Sequence, residues 1–131
     1  MTDSVLSLLG LALRGGNLAV GEEPVQDACK TGRAKLVLSA ADAAQNSIDR
    51  AVRLAEAGGV PHVPLPWGKE ALGGALGRKL CAVAALTDQG LAAALAEKLI
   101  QADEGLRPSL EPLLNEKKKP RAPKKPAVLE T

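Results

Sequence analysis

At 131 residues, 46% of them apolar, the chain has the length and composition of one globular domain with a tail. With no Phe, no Tyr and a single Trp, its core must be built from Leu, Val and Ala. That composition excludes the RNA readers that stack bases on aromatic side chains of a sheet or barrel. The formal net charge of +2 hides an asymmetry: residues 1–115 hold 11 Lys+Arg against 13 Asp+Glu, and residues 116–131 hold 6 against 2.

Val5, Leu8, Leu9, Ala12 and Leu13 recur at helical spacing and predict a first helix over residues 3–14, capped by Asp3 or Ser4. Gly15-Gly16-Asn17 end it, and Leu18-Ala19-Val20 form a short strand that stops at Gly21. A second helix is expected from Glu22 to Thr31, with Pro24 tolerated in its first turn, Val25, Ala28 and Cys29 on one side, and Gly32 just beyond its end. The N–H groups at such a helix start have no partner within the helix and can meet an anion.

Lys35 to Ser39 is a compact apolar run suited to a buried strand. Asp42-Ala43-Ala44-Gln45 has the form of a capping box and opens a third helix, with Ile48, Val52 and Ala55 expected inward. After Gly58-Gly59, His62 to Leu65 reads as a third strand, and Pro64 argues for a sheet edge. Pro66-Trp67-Gly68 lead into a short helix from Lys69 to Leu76, closed by Gly77. Cys81 to Leu86 is apolar throughout and is expected to be a central strand, after which Thr87 or Asp88 caps a last helix with Leu91, Leu95 and Leu99 on one stripe.

A helix followed by four strand–helix units indicates an α/β sandwich. The domain is expected to span residues 1–104, with 105–131 as a Pro/Lys-rich basic tail. Residues 105–115 contain two prolines and allow a turn or short helix; from Glu116 onward no apolar periodicity remains, and disorder is expected.

No chemistry-bearing constellation emerges. Cys29, Cys81 and His62 have no zinc-ligand spacing, so the cysteines read as buried free thiols and His62 as structural or surface. The glycines at 68, 73, 74 and 77 lack Walker spacing, and Leu80 follows Lys79 where Ser or Thr belongs. No paired carboxylates or nucleophile with base are evident, so neither enzyme activity, nor a cofactor, nor a small-molecule substrate is expected. The apolar run Leu6 to Leu13 falls short of the roughly 20 residues of a membrane span, and Asp3 stands where a signal peptide is basic. A cytoplasmic location without membrane contact follows as the expectation.

Leu9-Gly10-Leu11-Ala12, Val20-Gly21-Glu22-Glu23 and Lys30-Thr31-Gly32-Arg33-Ala34-Lys35-Leu36-Val37-Leu38-Ser39 together resemble the bacterial YlxQ-like members of the ribosomal L-seven-Ae family. Asp42-Ala43-Ala44-Gln45-Asn46, Val60-Pro61, Leu72-Gly73 and Ala75-Leu76-Gly77-Arg78-Lys79 follow in the same order, so the resemblance covers about residues 5–100. It implies a three-layer α-β-α sandwich on a four-stranded mixed sheet. It further implies a non-enzymatic protein that binds kink-turn RNA, a kinked helix with sheared G·A pairs, in or around the ribosome.

The resemblance sets the RNA edge at the start of the second helix (Gly21, Glu22, Glu23), at the loop carrying Asp42, and at Arg78, Lys79 and Leu80, with Arg14, Lys30 and Arg33 near the same corner. The partners it implies are structured, ribosomal RNA and ribosome or assembly proteins, with the chain a monomer. Where kink-turn readers have Gly-x-Asn-Glu, this chain has Gly21-Glu22-Glu23-Pro24, and Asp27 stands where a lysine is common. An ionised glutamate only accepts hydrogen bonds, whereas asparagine both donates and accepts. The bland alternatives are concrete: Glu22 and Glu23 suit a helix macrodipole, Asp42 suits a cap, and the cations suit a solvated surface. The alternative function is a protein-interaction module on the same fold, using the edge near Trp67, with only nonspecific RNA contact through the basic tail.

Overall fold

Two fully buried strands organise the molecule. In the computed structural model, which describes residues 2–118, β2 (Leu36–Ser39) and β4 (Val83–Leu86) are buried along their whole length. They lie side by side and antiparallel at the centre of a four-stranded sheet of order β1-β4-β2-β3. The edges are β1 (Leu18–Val20), antiparallel to β4, and β3 (His62–Pro64), parallel to β2. Pro64, which has no N–H to give a further strand, sits on an edge as expected.

Because successive strand residues point to opposite faces, each central strand feeds two cores. Leu36, Leu38, Ala84 and Leu86 face one cluster, shared with α1 (Thr2–Arg14), α4 (Lys69–Ala75) and α5 (Gln89–Ala102). Val37, Val83 and Ala85 face the other, shared with α2 (Glu22–Lys30) and α3 (Gln45–Gly58). The result is the three-layer α-β-α sandwich on a mixed sheet. His62 donates or accepts a 3.0 Å hydrogen bond with the fully buried Ser39 hydroxyl, and burial pushes its pKa below the ordinary 6.5. Cys29 and Cys81 are buried and unpaired, and burial pushes both thiols up.

Three expectations are corrected. The body does not end at residue 104: a 3-10 turn (Glu104–Leu106) leads into α6 (Arg107–Lys118), which folds back on α5. Leu110 and Leu113 are buried in the first core, and the Leu113 carbonyl accepts from Gln89 Nε2 at the start of α5. These two leucines at i and i+3 form a short apolar stripe, enough to dock a helix that carries Pro112 on its exposed side. The rest of the expected basic tail, residues 119–131, lies outside the described residues.

The capping box at Asp42 does not form. Ala44 is the N-cap of α3 without a side-chain bond, and Gln45 bonds Asp49 instead. In α3, Ala51 and Ala55 reach the core, whereas Ile48 and Val52 stay half-buried. Asp88, by contrast, caps α5 by accepting from the Leu91 N–H at 2.9 Å. Among the described residues no helix is long and apolar enough to cross a membrane.

Candidate nucleic-acid interface

Strands β1, β2 and β3 run toward the same end of the sheet, and β4 starts there. Two backbone bonds fix that end: Gly21 N–H to the Val83 carbonyl at 3.0 Å, and Ala40 N–H to the Ala82 carbonyl at 2.8 Å. The start of α2, the loop after β2 and the loop before β4 are thereby brought side by side. These are the three segments that the resemblance set at the RNA edge.

Gly21 is the N-cap of α2 with φ 105° and ψ 163°, a conformation essentially reserved for glycine. It turns the chain from strand to helix without a side-chain cap. Of the first three helical positions, Pro24 has no N–H, so the backbone donors offered here come from Glu22 and Glu23. Their side chains part company. The Glu22 carboxylate is held by α3, accepting from Ser47 Oγ at 2.5 Å and from the Arg50 guanidinium. Glu23 is exposed. The site therefore shows one acid neutralised from behind and one acid facing out.

Asp42 turns toward α4. Its Oδ1 accepts from the Lys69 N–H at 2.8 Å, so the aspartate satisfies a first-turn donor of α4 rather than of α3. The neighbouring Ala41 N–H bonds the Trp67 carbonyl at 2.8 Å, which ties the second loop to the β3–α4 connection. Trp67 itself packs half-buried against the first core. Beside it an apolar cavity of about 440 Å³ opens between α1, α5 and the 3-10 turn.

The third loop is pinned to α4 at both ends. Arg78 N–H bonds the Gly73 carbonyl at 2.7 Å, and Cys81 N–H bonds the Lys69 carbonyl at 3.0 Å. The approach between them is close: a Cβ on Gly73 would lie 2.8 Å from the backbone of Lys79 and Leu80. What the loop presents is two exposed cations, Arg78 and Lys79, and the Leu80 side chain, 54% exposed despite being apolar. The Arg78 charge also opposes the upward push of burial on the Cys81 thiol.

Not every candidate falls at this end. Lys30 and Arg33 sit where α2 has run to the opposite end, beside the Lys35 N–H to Leu86 carbonyl bond. Arg14 ends α1 just before Asn17, whose carbonyl accepts from Thr87 there, and its Nη1 turns back along α1 toward Gly10. Gly21, Glu22, Glu23, Asp42, Arg78, Lys79 and Leu80 are together; Arg14, Lys30 and Arg33 are not part of that group. Sequence reasoning missed Ser47 and Arg50, which approach Glu22 only through the packing of α3 on α2, and Gly73 as the seat of the third loop. Gly73 did leave a signal, because a glycine inside a helical pattern costs about 1 kcal/mol and so calls for a packing reason. Among the described residues no group of His, Cys, Asp and Glu is arranged to hold a metal ion.

A mixed-sheet α-β-α sandwich with these three segments gathered at one end defines the class of small ribosomal-type sandwiches that the sequence resembled. The chain belongs to the ribosomal protein L7Ae/L30e/S12e/Gadd45 family, whose model matches residues 3–96. Within it the chain is YlxQ-like: it is 35% identical over 85 residues to the RNA-binding protein YlxQ of Bacillus subtilis (strain 168), covering 65% of this chain and 84% of that protein. A solved structure of a protein of unknown function from Bacillus halodurans C matches with a TM-score of 0.66 at 31% identity, over 71% of this chain and 93% of that one.

Proposed function

We propose that the Gly21 end of the sheet binds structured RNA, and that its ligand is a kinked helix of the kink-turn kind in or around the ribosome. The observation that carries this reading is the convergence of Gly21–Glu23, Ala40–Asp42 and Arg78–Leu80 on one surface. Family membership and the name of the B. subtilis relative support RNA as the ligand class.

The parts divide the work. The Glu22 and Glu23 N–H groups meet a phosphate or base edge, while Arg78 and Lys79 hold the adjacent backbone as positioning contacts. Leu80 offers an apolar surface to a base that has left the stack. Glu23 accepts from a guanine amino or imino group, the one exchange at a base edge that an ionised carboxylate can make. Arg50 and Ser47 keep the second acid, Glu22, from repelling the phosphates. The protein acts without catalysis, as a cytoplasmic monomer.

The test is affinity for a kink-turn RNA against the same RNA with its sheared G·A pairs replaced by Watson–Crick pairs, across a salt series. The proposal predicts a preference of about tenfold or more for the kinked form, the worth of one good base contact of about 1–3 kcal/mol, and persistence of that preference as salt rises. Equal affinity for both RNAs at every salt would overturn it.

A further inference from the structure

The end of the sheet opposite Gly21 carries cations that the recognition surface does not use. Between α2 and β2 the chain places Lys30, Arg33 and Lys35 within six residues, the first two exposed and Lys35 half-buried. The two lysines take part in none of the ion pairs among the described residues. Arg33 is pre-set: its Nε donates to Thr31 Oγ1 at 3.0 Å and its Nη2 to Asp27 Oδ2 at 3.1 Å, which fixes the guanidinium plane and leaves Nη1 to meet an incoming acceptor. Arg33 also lines a polar cavity of about 210 Å³ that runs along β1 and α2 between Thr87 and Pro24, with Asp27 its one acid.

α6 adds to the same end. It runs antiparallel to α5, since the Leu113 carbonyl meets Gln89 at the start of α5, so the C-terminal part of α6 lies on the side where β4 ends. The sequence that follows carries Lys119, Arg121, Lys124 and Lys125 against Glu130 alone. A preformed guanidinium fork and two lysines outside those ion pairs make an electrostatic footprint for a phosphate backbone, with no geometry for reading bases.

From this we infer that the α2–β2 end is a second, sequence-independent RNA contact, which lets one molecule hold a separate RNA segment while the Gly21 end is occupied. The inference rests on the reading of the Gly21 end only for the second half of that statement; duplex binding at the α2–β2 end stands by itself. An acidic protein surface is the rival partner: a wild type that does not bind the duplex at low salt would overturn the inference in favour of that rival.

The experiment uses the full chain and two RNAs, a kink-turn RNA and a short uniform RNA duplex carrying a different fluorophore. The triple variant K30E/R33Q/K35E is compared with the wild type and with R78E/K79E, and thermal melting verifies that each is folded. The expected result is that the wild type binds the duplex and brings the two RNAs together. The triple variant should lose about tenfold or more in duplex affinity and keep its affinity for the kink-turn RNA. Its salt slope for the duplex should be shallower by about one for each phosphate it no longer neutralises. R78E/K79E should do the reverse. Duplex capture that survives K30E/R33Q/K35E overturns the inference, as does an equal loss of affinity for both RNAs, which would mean one continuous surface. Failure of the recognition reading has a different signature: kinked and Watson–Crick RNAs bind alike, whatever happens to duplex capture.

Discussion

The two ends of the sheet are built by different means. At the Gly21 end the backbone does the shaping: a glycine in a conformation other residues avoid turns β1 into α2, and Gly73 lets the Arg78–Leu80 loop lie directly on α4. Two of the three acids there are held, Glu22 by Ser47 and Arg50 and Asp42 by the Lys69 N–H, while Glu23 stays exposed. At the α2–β2 end the cations Lys30, Arg33 and Lys35 follow one another in a hydrogen-bonded turn whose Gly32 has open space beside it. The contrast teaches that shape and charge need not share a surface. On the proposed reading, a body whose first 115 residues carry more acids than bases presents a shaped end for recognition, where Glu23, Arg78 and Lys79 are exposed, and a cation-bearing end for adhesion.

The largest expected effect on stability removes neither end. Leu110→Ala takes a fully buried side chain from beneath α6 and should cost about 2–5 kcal/mol in urea unfolding, while the ratio of affinities for kinked and uniform RNA stays unchanged. A cost under about 0.5 kcal/mol would return α6 to the status of a loosely attached tail. Gly73→Ala comes next, because its Cβ would meet the Leu80 backbone at 2.8 Å. It should destabilise by about 1–3 kcal/mol and weaken binding to kinked RNA, without touching duplex capture at the other end. Unchanged RNA affinity would mean that the third loop is not part of the recognition surface.

Glu22→Gln tests the neutralised acid. Its partner pair is largely solvent-exposed, so stability should change by less than about 1 kcal/mol. Affinity for kinked RNA should rise modestly, since a negative charge is removed and Arg50 is released toward the phosphates. A fall in affinity would instead make the Glu22 carboxylate a reader of the base edge.

The smallest effect is set by pH. Burial lowers the pKa of His62 in the folded state below the ordinary 6.5. The unfolded chain therefore binds the proton more readily, and the folded state is favoured above about pH 6.5 and loses that advantage as pH falls below it. Melting temperature against pH should show a decline below about 6.5 that His62→Gln removes; a decline equally steep in the variant would assign it to other groups.

Much of this architecture was legible in the residues themselves. The uninterrupted apolar runs at Leu36–Leu38 and Val83–Leu86 read as buried strands, and Pro64 argued for an edge. Gly21 announced its corner because a strand, a glycine and a first-turn proline stood in sequence. Elsewhere local pattern competed with long-range partners and lost. Asp42 has the spacing of a cap for α3, yet the Lys69 N–H, 27 residues away, takes its carboxylate. Residues 105–115 carry two prolines that argue against a long helix, and the packing of Leu110 and Leu113 on α5 makes them part of the body. The family resemblance set Lys30 and Arg33 near the Gly21 corner, but α2 carries them to the far end of the sheet.

The most direct measurement is the perturbation of backbone amide resonances in isotope-labelled full-length protein on addition of kink-turn RNA at moderate salt. The account predicts shifts concentrated at Gly21–Glu23, Ala40–Asp42 and Arg78–Cys81, with those at Lys30–Lys35 appearing only when RNA is in excess or an unkinked duplex is added. Shifts confined from the first addition to Lys30–Lys35 and the residues after Lys118 would contradict it, and would leave the Gly21 end without an RNA to bind.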